Sequence, residues 1–396
     1  MRPLALTAYT ATSCIGRGLA ATHETLAAQR SGLAPCAFET VTLDTSVGEV
    51  PGLDSAALPA ELGEFECRNN RLALLGLRQD GFADAVRECL GRHGRTRVGV
   101  WLGTSTSGIL ETEIAYRKRG PGGELPATFR YRGAHNTFSL AAFVRQVLGV
   151  AGPAAVISSA CSSSAKVFAS ARRAIEAQLV DAAVVGGVDS LCLTTLYGFN
   201  SLQLVSRTPC RPFDAARDGI SIGEAAAFAL LERVPGSCDA GTALLLGTGE
   251  SSDAHHMSTP HPQGRGARAA MLAALADAGL GPTDIDYINF HGTGTPGNDA
   301  AEARAVAATL GARVPGSSTK GATGHTLGAA GALEAVICTL ALRHSLMPAG
   351  VNTTQVDPAL EVHYLRENRP APLRRVLSNS FGFGGSNCSL IFGRAG

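Results

Sequence analysis

One stretch of this sequence decides its fold: Val156-Ile157-Ser158-Ser159-Ala160-Cys161-Ser162-Ser163-Ser164-Ala165-Lys166. The apolar residues that lead into it predict a short buried strand, and the apolar residues that follow it recur at helical spacing. Cys161 stands at the junction. A thiol at the start of a helix faces unpaired N–H groups and the positive end of the helix dipole, which favour the thiolate. Cys161 is therefore a candidate nucleophile, although a lone cysteine among small residues is more often a buried packing residue.

The composition is that of a globular protein, with 45% hydrophobic and 17% charged residues and 47 glycines. A chain of 396 residues exceeds one ordinary core and predicts two domains or one large fused domain. The net charge of +1 gives no reason to expect nucleic acid or a membrane surface as a partner. No apolar run is long enough for a membrane span, and the start of the chain does not predict a signal peptide.

Ten cysteines are scattered along the chain, and none forms a CxxC pair. Without a secretion signal, this usage indicates reduced thiols, and we expect a cytoplasmic protein. Most of these cysteines are then expected to be small core residues, and one could be reactive.

The order of predicted elements in the first part of the chain recurs in the second. Residues 98–104 and 285–293 are both apolar strands that run into a Gly-Thr loop, and residues 317–342 repeat the loop-to-helix pattern around Cys161. We predict an internal duplication with halves at 1–240 and 241–396. Buried strands that alternate with helices imply α/β layers with mainly parallel sheets.

Two further patterns in the first half predict single elements. Helical apolar spacing over 71–90 predicts one helix, with Gly91 as its stop. Partial alternation over 219–232 predicts a pair of strands. Sites in such folds lie at the carboxyl ends of strands, where Cys161 falls and where two further candidates, His291 and Lys320, fall in the second half.

His291 opens the stretch His291-Gly292-Thr293-Gly294-Thr295-Pro296-Gly297, which contains a formal GxGxxG pattern after a strand. As a dinucleotide loop the pattern is poor, because a proline precedes the third glycine and no acidic residue ends a following strand. The alternative is a histidine held at a strand end by a tight glycine loop.

A second group of polar residues, Asp253, His255, His256 and His261, could suggest a metal site. Zinc sites usually combine defined spacing with further cysteine or histidine ligands, and this Ser/Thr/Pro-rich loop has no matching second cluster. A solvated or structural loop is the better interpretation.

Lys320 and His325 bracket a glycine-rich turn that no packing requirement explains, and Glu334 follows on the next helix. A buried lysine needs a partner, and Glu334 is near enough to pair with it if the loop folds back. A lysine close to His325 would disfavour the imidazolium form of that histidine. The order of residues does not fit a phosphate-binding P-loop.

In combination, these features resemble the β-ketoacyl-acyl-carrier-protein synthases of the thiolase-like fold, and most closely synthases I and II and the ketosynthases of polyketide and polyene pathways. The motifs that carry the resemblance are Ser159-Ala160-Cys161-Ser162-Ser163-Ser164, Arg211-Pro212-Phe213-Asp214 to Gly223-Glu224, Ser252-Asp253-Ala254-His255-His256-Met257, His291-Gly292-Thr293-Gly294-Thr295, Lys320 through His325, and Asn379-Ser380-Phe381-Gly382-Phe383-Gly384-Gly385-Ser386-Asn387.

The resemblance covers nearly the whole chain and implies a duplicated five-layer αβαβα fold. It implies an acyltransferase without metal or cofactor, which condenses a malonyl carrier-protein thioester, with loss of CO2, onto an acyl group held on Cys161. The product would be an extended fatty-acid, polyene or polyketide chain. His291 and His325 would be the paired histidines of the decarboxylating site, with Lys320 and Glu334 as their supporting pair.

The resemblance also implies roles around the substrate. Phe383 matches the gating phenylalanine of the family, and its backbone N–H would form the oxyanion hole with that of Cys161. Ile109, Leu110 and Phe381 would line the acyl pocket. An acidic acyl carrier protein could dock on a set of basic residues: Arg117, Lys118, Arg119, Arg130, Arg132 and Arg211.

The chain departs from the family at Lys166, where many relatives carry a histidine, and its Ser-rich flank is more typical of polyketide ketosynthases. A homodimer is expected, and a heterodimer with a chain-length-factor-like subunit is an alternative. Such subunits lack the nucleophile, so Cys161 argues that this chain would be the catalytic partner. A thiolase would need a second cysteine where Phe383 stands, and start-unit synthases carry asparagine where this chain has His325.

Overall fold

Two five-stranded sheets organise the chain in the computed structural model, which describes residues 2–234, 236 and 241–395. The first sheet contains β1 (Leu4–Ser13), β2 (Val98–Gly103), β3 (Ala154–Ile157), β4 (Ala182–Asp189) and β5 (Ala225–Arg233). The second sheet contains β6 (Ala243–Ser252), β7 (Tyr287–Asn289), β8 (Pro315–Ser317), β9 (Arg375–Gly382) and β10 (Ser386–Arg394). Short strands accompany them at Gly16–Arg17, Ala34–Pro35, Ser46–Gly48, Ile222–Gly223, Leu346–Met347, His363–Tyr364 and Arg369–Pro370.

The two sheets repeat one topology. In space the strand orders are β1-β5-β4-β2-β3 and β6-β10-β9-β7-β8. The three strands at the far end of each order are parallel, and the other pairings are antiparallel. The sheets meet where Leu4–Leu6 of β1 pairs antiparallel with residues 243–245 of β6. The predicted duplication is therefore visible in the order and direction of the strands.

Helices fill the layers outside and between the sheets. Their bounds are α1 (Leu19–Ala27), α2 (Arg68–Leu77), α3 (Phe82–His93), α4 (Ile109–Arg117), α5 (Ser139–Leu148), α6 (Ser163–Glu176), α7 (Leu193–Ser201), α8 (Arg265–Ala278), α9 (Pro296–Leu310), α10 (Lys320–Thr323) and α11 (Ala330–His344). Helices α2, α3 and α5 cover the outer face of the first sheet, α8 covers that of the second, and α9 packs against α8. Helices α6 and α11 lie between the sheets. This confirms the expected five-layer αβαβα fold.

The middle layer explains why α11 is apolar on every side. Residues 330–342 of this helix are all buried, because a helix between two sheets has no face left for water. Leu327–His344 is also the one helical stretch of the described residues with the length and composition of a membrane span, and 89% of it is buried inside the protein.

Two predicted elements of the first half are wrong in detail. The pattern over 71–90 is two helices, α2 and α3, separated by Asp80 and Gly81, which both have positive φ (53° and 67°). Gly91 lies inside α3 and does not end it. The apolar spacing continues across the break because both helices pack on the first sheet.

The predicted strand pair over 219–232 is instead one long strand. β5 is hydrogen-bonded to β1 on one side and to β4 on the other, and it is buried along eight of its nine residues, so its sequence is an apolar run. The two-residue strand Ile222–Gly223 before it pairs with Ser46–Gly48. The predicted boundary between residues 240 and 241 adjoins residues 237–240, which lie outside the described residues, so the division into halves at that point stays a prediction.

Candidate active site

Cys161 lies in a tight turn between β3 and α6. The preceding residue, Ala160, has a φ of 52°, a backbone conformation that residues other than glycine rarely adopt. The hydroxyl of Ser163 holds this turn: it accepts the N–H of Ser159 at 2.9 Å and donates to the carbonyl of Ala160. Gly103 at the end of β2 lets the helix start come close, since a Cβ there would lie 2.4 Å from the Ser164 nitrogen. The strained backbone of this strand-to-helix turn therefore fixes the position of the Cys161 side chain.

The thiol of Cys161 is only 4% exposed. Burial raises its pKa to about 12, although the charge of Lys320 and the N–H of Phe383 act in the opposite direction. The buried thiol of the resting protein therefore keeps its proton. Helix α6 begins only at Ser163, two residues after Cys161, and burial is the largest influence on the pKa of the thiol.

His325 contacts the nucleophile directly, with its Nε2 atom 3.0 Å from Sγ of Cys161. Its backbone is fixed on both sides: its N–H donates to the Ser221 carbonyl at 2.7 Å and its carbonyl accepts the Gly223 N–H at 3.0 Å. Burial, and then the charge of Lys320, lower the pKa of His325 well below its ordinary value. The contact is therefore between a neutral thiol and a neutral imidazole.

His291 is the second imidazole of the site, with its ring centroid 5.3 Å from that of His325. Burial, Lys320 and His325, in that order, lower its pKa well below the ordinary value. The carboxylate of Glu302 on α9 accepts the N–H groups of His291 (2.8 Å) and Gly292 (2.7 Å). The sequence analysis did not single out Glu302. Only the fold brings it under the histidine loop, because eleven residues separate the two in sequence.

Lys320 and Glu334 form the predicted buried ion pair. The ammonium group also donates to the carbonyl of His291 at 2.6 Å and lies 3.5 Å from Nδ1 of that residue. The side-chain hydrogen bonds of Lys320 go to His291 and Glu334. Its charge lowers the pKa of His325, as expected for a lysine close to that histidine. Burial raises the pKa of the Glu334 carboxyl, and Lys320 opposes that shift.

Asp189 is a second supporting carboxylate that sequence reasoning missed. It is fully buried at the end of β4 and accepts the hydroxyl and N–H groups of Thr104 (2.7 Å), Ser105 and Thr106 after β2. It also accepts the Gly328 N–H at 2.6 Å, just before α11. One side chain therefore ties a strand end of the first sheet to the segment that follows His325. An acidic residue at the end of an apolar strand was the signal available in the sequence.

A cavity of about 140 Å³ opens onto Cys161, His291 and His325. Its walls include Phe199, Phe381 and Phe383. The ring of Phe381 lies 5.8 Å from that of His291, and the ring of Phe383 lies 5.4 Å from that of Phe199. The reacting atoms thus lie in a small, largely apolar chamber.

The residues predicted for the oxyanion hole and the acyl pocket do not all lie at the cavity. The N–H of Phe383 lies close enough to Sγ of Cys161 to lower its pKa, as an oxyanion-hole donor would. Phe381 lines the cavity, whereas Ile109 and Leu110 do not. Leu110 packs behind the wall in a cluster with Ile220, which does line it.

The predicted basic residues are spread over two segments. Arg117 pairs with Glu39, Arg119 donates to the Tyr116 carbonyl and Arg130 to that of Gly63. Lys118 and Arg132 are exposed. Arg211 is half-buried, and its Nε has no hydrogen-bond partner among the described residues. Their role in carrier docking stays a prediction.

Two groups of possible metal ligands occur within the described residues: Cys161, His291 and His325, and Cys89, His93 and Glu232. In the second group the carboxylate already accepts hydrogen bonds from Arg92 at 2.8 and 3.0 Å. It therefore behaves as an ion-pair cluster. The histidine loop at 253–261 is tied to the cavity rim instead, since Asp253 accepts the N–H of His261 and the side-chain amide of Asn387.

Comparison with known proteins identifies the family of the chain. Residues 1–235 match the family of the beta-ketoacyl synthase N-terminal domain, and residues 242–354 match that of the C-terminal domain. A 3-oxoacyl-[acyl-carrier-protein] synthase 2 from Mycobacterium tuberculosis is 33% identical over 373 residues, which are 87% of this chain and 88% of the relative. The synthase 2 of Staphylococcus aureus is 31% identical over 309 residues, 75% and 77% of the two chains.

Two solved structures are similar over the full chain. A ketosynthase in complex with its chain length factor from Xenorhabdus doucetiae is 39% identical, with a TM-score of 0.89 and coverage of 100% of this chain and 98% of that one. The ishigamide ketosynthase/chain length factor is 27% identical, with a TM-score of 0.91 and full coverage of both chains. Since the family matches span most of the sequence and the relatives align over most of their own length, this chain is an acyltransferase that belongs to the β-ketoacyl synthase family.

Proposed function

We propose that this chain condenses a malonyl carrier-protein thioester, with loss of CO2, onto an acyl group carried by Cys161. The observation that carries the proposal is the contact between Cys161 and His325 in a cavity that His291 also lines. A nucleophile with two neutral imidazoles suits a reaction in which negative charge develops twice, first on an acyl thioester and then on an enolate.

In the first half-reaction, Sγ of Cys161 attacks the acyl thioester. Because the resting thiol is protonated, its proton passes to Nε2 of His325 and then to the departing carrier thiolate. The N–H groups of Cys161 and Phe383 stabilise the tetrahedral oxyanion. The products are an acyl-cysteine and a free carrier thiol.

In the second half-reaction, malonyl thioester loses CO2 and leaves an enolate, whose oxygen accepts hydrogen bonds from His291 and His325. Each well-aimed donor of this kind contributes about 3–4 kcal/mol to the transition state. Nδ1 of His325 has no hydrogen-bond partner among the described residues, so no neighbouring group fixes the tautomer of this ring, and donation from Nε2 to the enolate requires a proton exchanged with solvent between the two half-reactions. The carbanion then attacks the acyl-cysteine carbonyl and expels the thiolate.

The test separates the two half-reactions. Cys161→Ala should show no acyl adduct by intact mass, and an adduct on that variant would remove Cys161 from its role. Cys161→Gln should retain decarboxylation of malonyl carrier protein without condensation. The control is the His291→Ala, His325→Ala double variant, and a Cys161→Gln enzyme that decarboxylates no faster than this control contradicts the assignment.

A heterodimer with a chain-length-factor-like subunit is the second proposal. Strand β3 supports it: the strand ends the sheet, and all four of its apolar residues are only partly buried, beside Cys161. An edge strand presents unpaired N–H and C=O groups with which another chain can pair. The relative from Xenorhabdus doucetiae forms a complex of this kind. Light scattering of the purified chain decides: a stable homodimer that condenses alone contradicts the heterodimer.

The remaining roles are supported more indirectly. An acyl carrier protein is the substrate carrier in our proposal, and the exposed Lys118 and Arg132 would attract its acidic surface. An apparent KM that rises steeply with salt would support this docking, and a salt-independent KM would count against it. We also propose a cytoplasmic location, which nine free cysteines in the described part of the chain support.

A further inference from the structure

The short helix α10, which begins at Lys320 and leads to His325, depends on outside groups for its hydrogen bonds. A helix of four residues is too short for its carbonyls to find partners within it. Only the carbonyl of Lys320 accepts an N–H from the same segment, that of Gly324 at 2.8 Å. The other carbonyls are buried with their residues, so each needs a donor from elsewhere in the fold.

Those donors come from two separate parts of the chain. Gly321 O accepts the hydroxyl of Ser31 at 2.9 Å and the side-chain amide of Asn352 at 2.7 Å. Ala322 O accepts the N–H of Gly32 at 2.9 Å. The segment that carries Lys320 is thus held by neighbours that take no part in the chemistry.

Two thiols complete the set. Sγ of Cys14, just after β1, lies 3.4 Å from the carbonyl oxygen of Thr323, and it is the one donor to that oxygen among the described residues. Sγ of Cys210 lies 3.2 Å from the carbonyl oxygen of Lys320. Burial raises the pKa of Cys14 to about 12 and that of Cys210 to about 11, so both thiols keep the proton that they donate.

Two glycines pack closely against the Thr323 carbonyl that accepts the Cys14 thiol. A Cβ on Gly48 would lie 2.5 Å from the Thr323 carbonyl oxygen and 2.9 Å from Sγ of Cys14. A Cβ on Gly223 would lie 2.2 Å from the same oxygen. The Thr323 carbonyl is therefore enclosed on several sides, and water cannot easily take the place of the thiol.

We propose that Cys14 and Cys210 are positioning residues, whose thiols hold the two ends of α10 and so aim Lys320 at His291 and His325 at Cys161. Neither thiol lines the cavity, so they act through the turn and not on the substrate. The expected effect on kcat rests on the proposed condensation, whereas the expected effect on hydrogen exchange of α10 does not.

The experiment compares Cys14→Ala, Cys210→Ala and their double variant with Cys388→Ala, in the full chain. Cys388 is a buried thiol of β10, and no hydrogen bond within the described chain joins it to α10. Hydrogen exchange of a peptide that spans Lys320 to His325 should quicken about tenfold in the double variant and stay unchanged in the control. The kcat of condensation should fall about tenfold with little change in KM.

Serine variants at both positions retain a donor, and they should recover slow exchange and most of kcat. A double alanine variant that matches Cys388→Ala in exchange and in kcat overturns the proposal. The alanine variants could fail to fold. In that case, folded serine variants whose peptide from Lys320 to His325 exchanges about tenfold faster than in wild type overturn the proposal equally. A wild-type chain that does not condense refutes the proposed function alone, because the exchange measurement still tests the thiols.

Discussion

The ammonium nitrogen of Lys320 lies 2.6 Å from the carbonyl oxygen of His291 and 3.5 Å from Nδ1 of the same residue. An ammonium group has donors and no acceptor, so Nδ1 must be the unprotonated nitrogen of that ring. The ring proton of His291 then resides on Nε2, where it can be donated to an enolate oxygen. One buried lysine therefore sets both the tautomer and the backbone position of this histidine.

Replacing Lys320 by methionine should slow decarboxylation about 100-fold, because His291 loses the group that fixes its donor. Lys320 also lowers the pKa of both histidines, so its removal should raise their pKa. The acid limb of the rate of CO2 release against pH should then move to higher pH. An unmoved acid limb contradicts this assignment.

Measurements of unfolding free energy separate the slower decarboxylation of Lys320→Met from a general loss of stability. Lys320→Met leaves Glu334 buried without its partner and should cost about 3–5 kcal/mol of unfolding free energy. The double variant Lys320→Met, Glu334→Gln removes the unpaired charge and should regain most of this loss in a urea titration. It should still fail to restore the rate of CO2 release.

Glu302 should make the protein less stable as pH rises from about 4.5 to about 7. Burial raises its pKa from 4.5 to about 7 in the folded state. In that window the folded state holds the proton more often than the unfolded state does, so the unfolding free energy falls with pH, by about 3 kcal/mol at most. Glu302→Gln should lose this component. Urea titrations at pH 5 and pH 7.5 measure it, and an equal slope in wild type and variant contradicts it.

Cys161 should react with iodoacetamide as a buried thiol and not as a preformed thiolate. Because its pKa is raised to about 12, the rate of alkylation should still increase with pH beyond pH 9. His325→Ala should slow alkylation at neutral pH about tenfold, since Nε2 of His325 is the nearest proton acceptor. Intact mass against time provides the rate, and a plateau below pH 8 contradicts the protonated resting state.

The loop that carries Phe383 offers a matched pair of glycines. Gly384 and Gly385 both have positive φ, at 77° and 73°. A Cβ on Gly384 meets nothing within 4 Å, whereas a Cβ on Gly385 would lie 2.7 Å from the Cβ of Asp253. Gly385→Ala should therefore displace the loop and slow acylation of Cys161 about tenfold or more, and Gly384→Ala should cost only about 1 kcal/mol of backbone strain. Equal acylation rates in the two variants would falsify this reading.

The family resemblance implied the five layers and the pairing of His291 with His325. The residue patterns alone predicted the duplication and a site at the strand ends with Cys161, His291 and Lys320. Local patterns carry that information, because strand ends and glycine loops are short in sequence. The sequence could not show that burial raises the pKa of Cys161, since the depth of the turn depends on packing across two sheets. It likewise missed Glu302, which reaches the site only after the fold has closed.

The repeated strand order has a functional consequence. Strands β3 and β8 occupy equivalent places in the two sheets, yet a nucleophile follows one and a lysine turn follows the other. Duplication of one unit therefore leaves each half with only part of the chemistry. The two halves depend on each other, because an isolated half would carry either a nucleophile without its histidines or histidines without a cysteine that can be acylated.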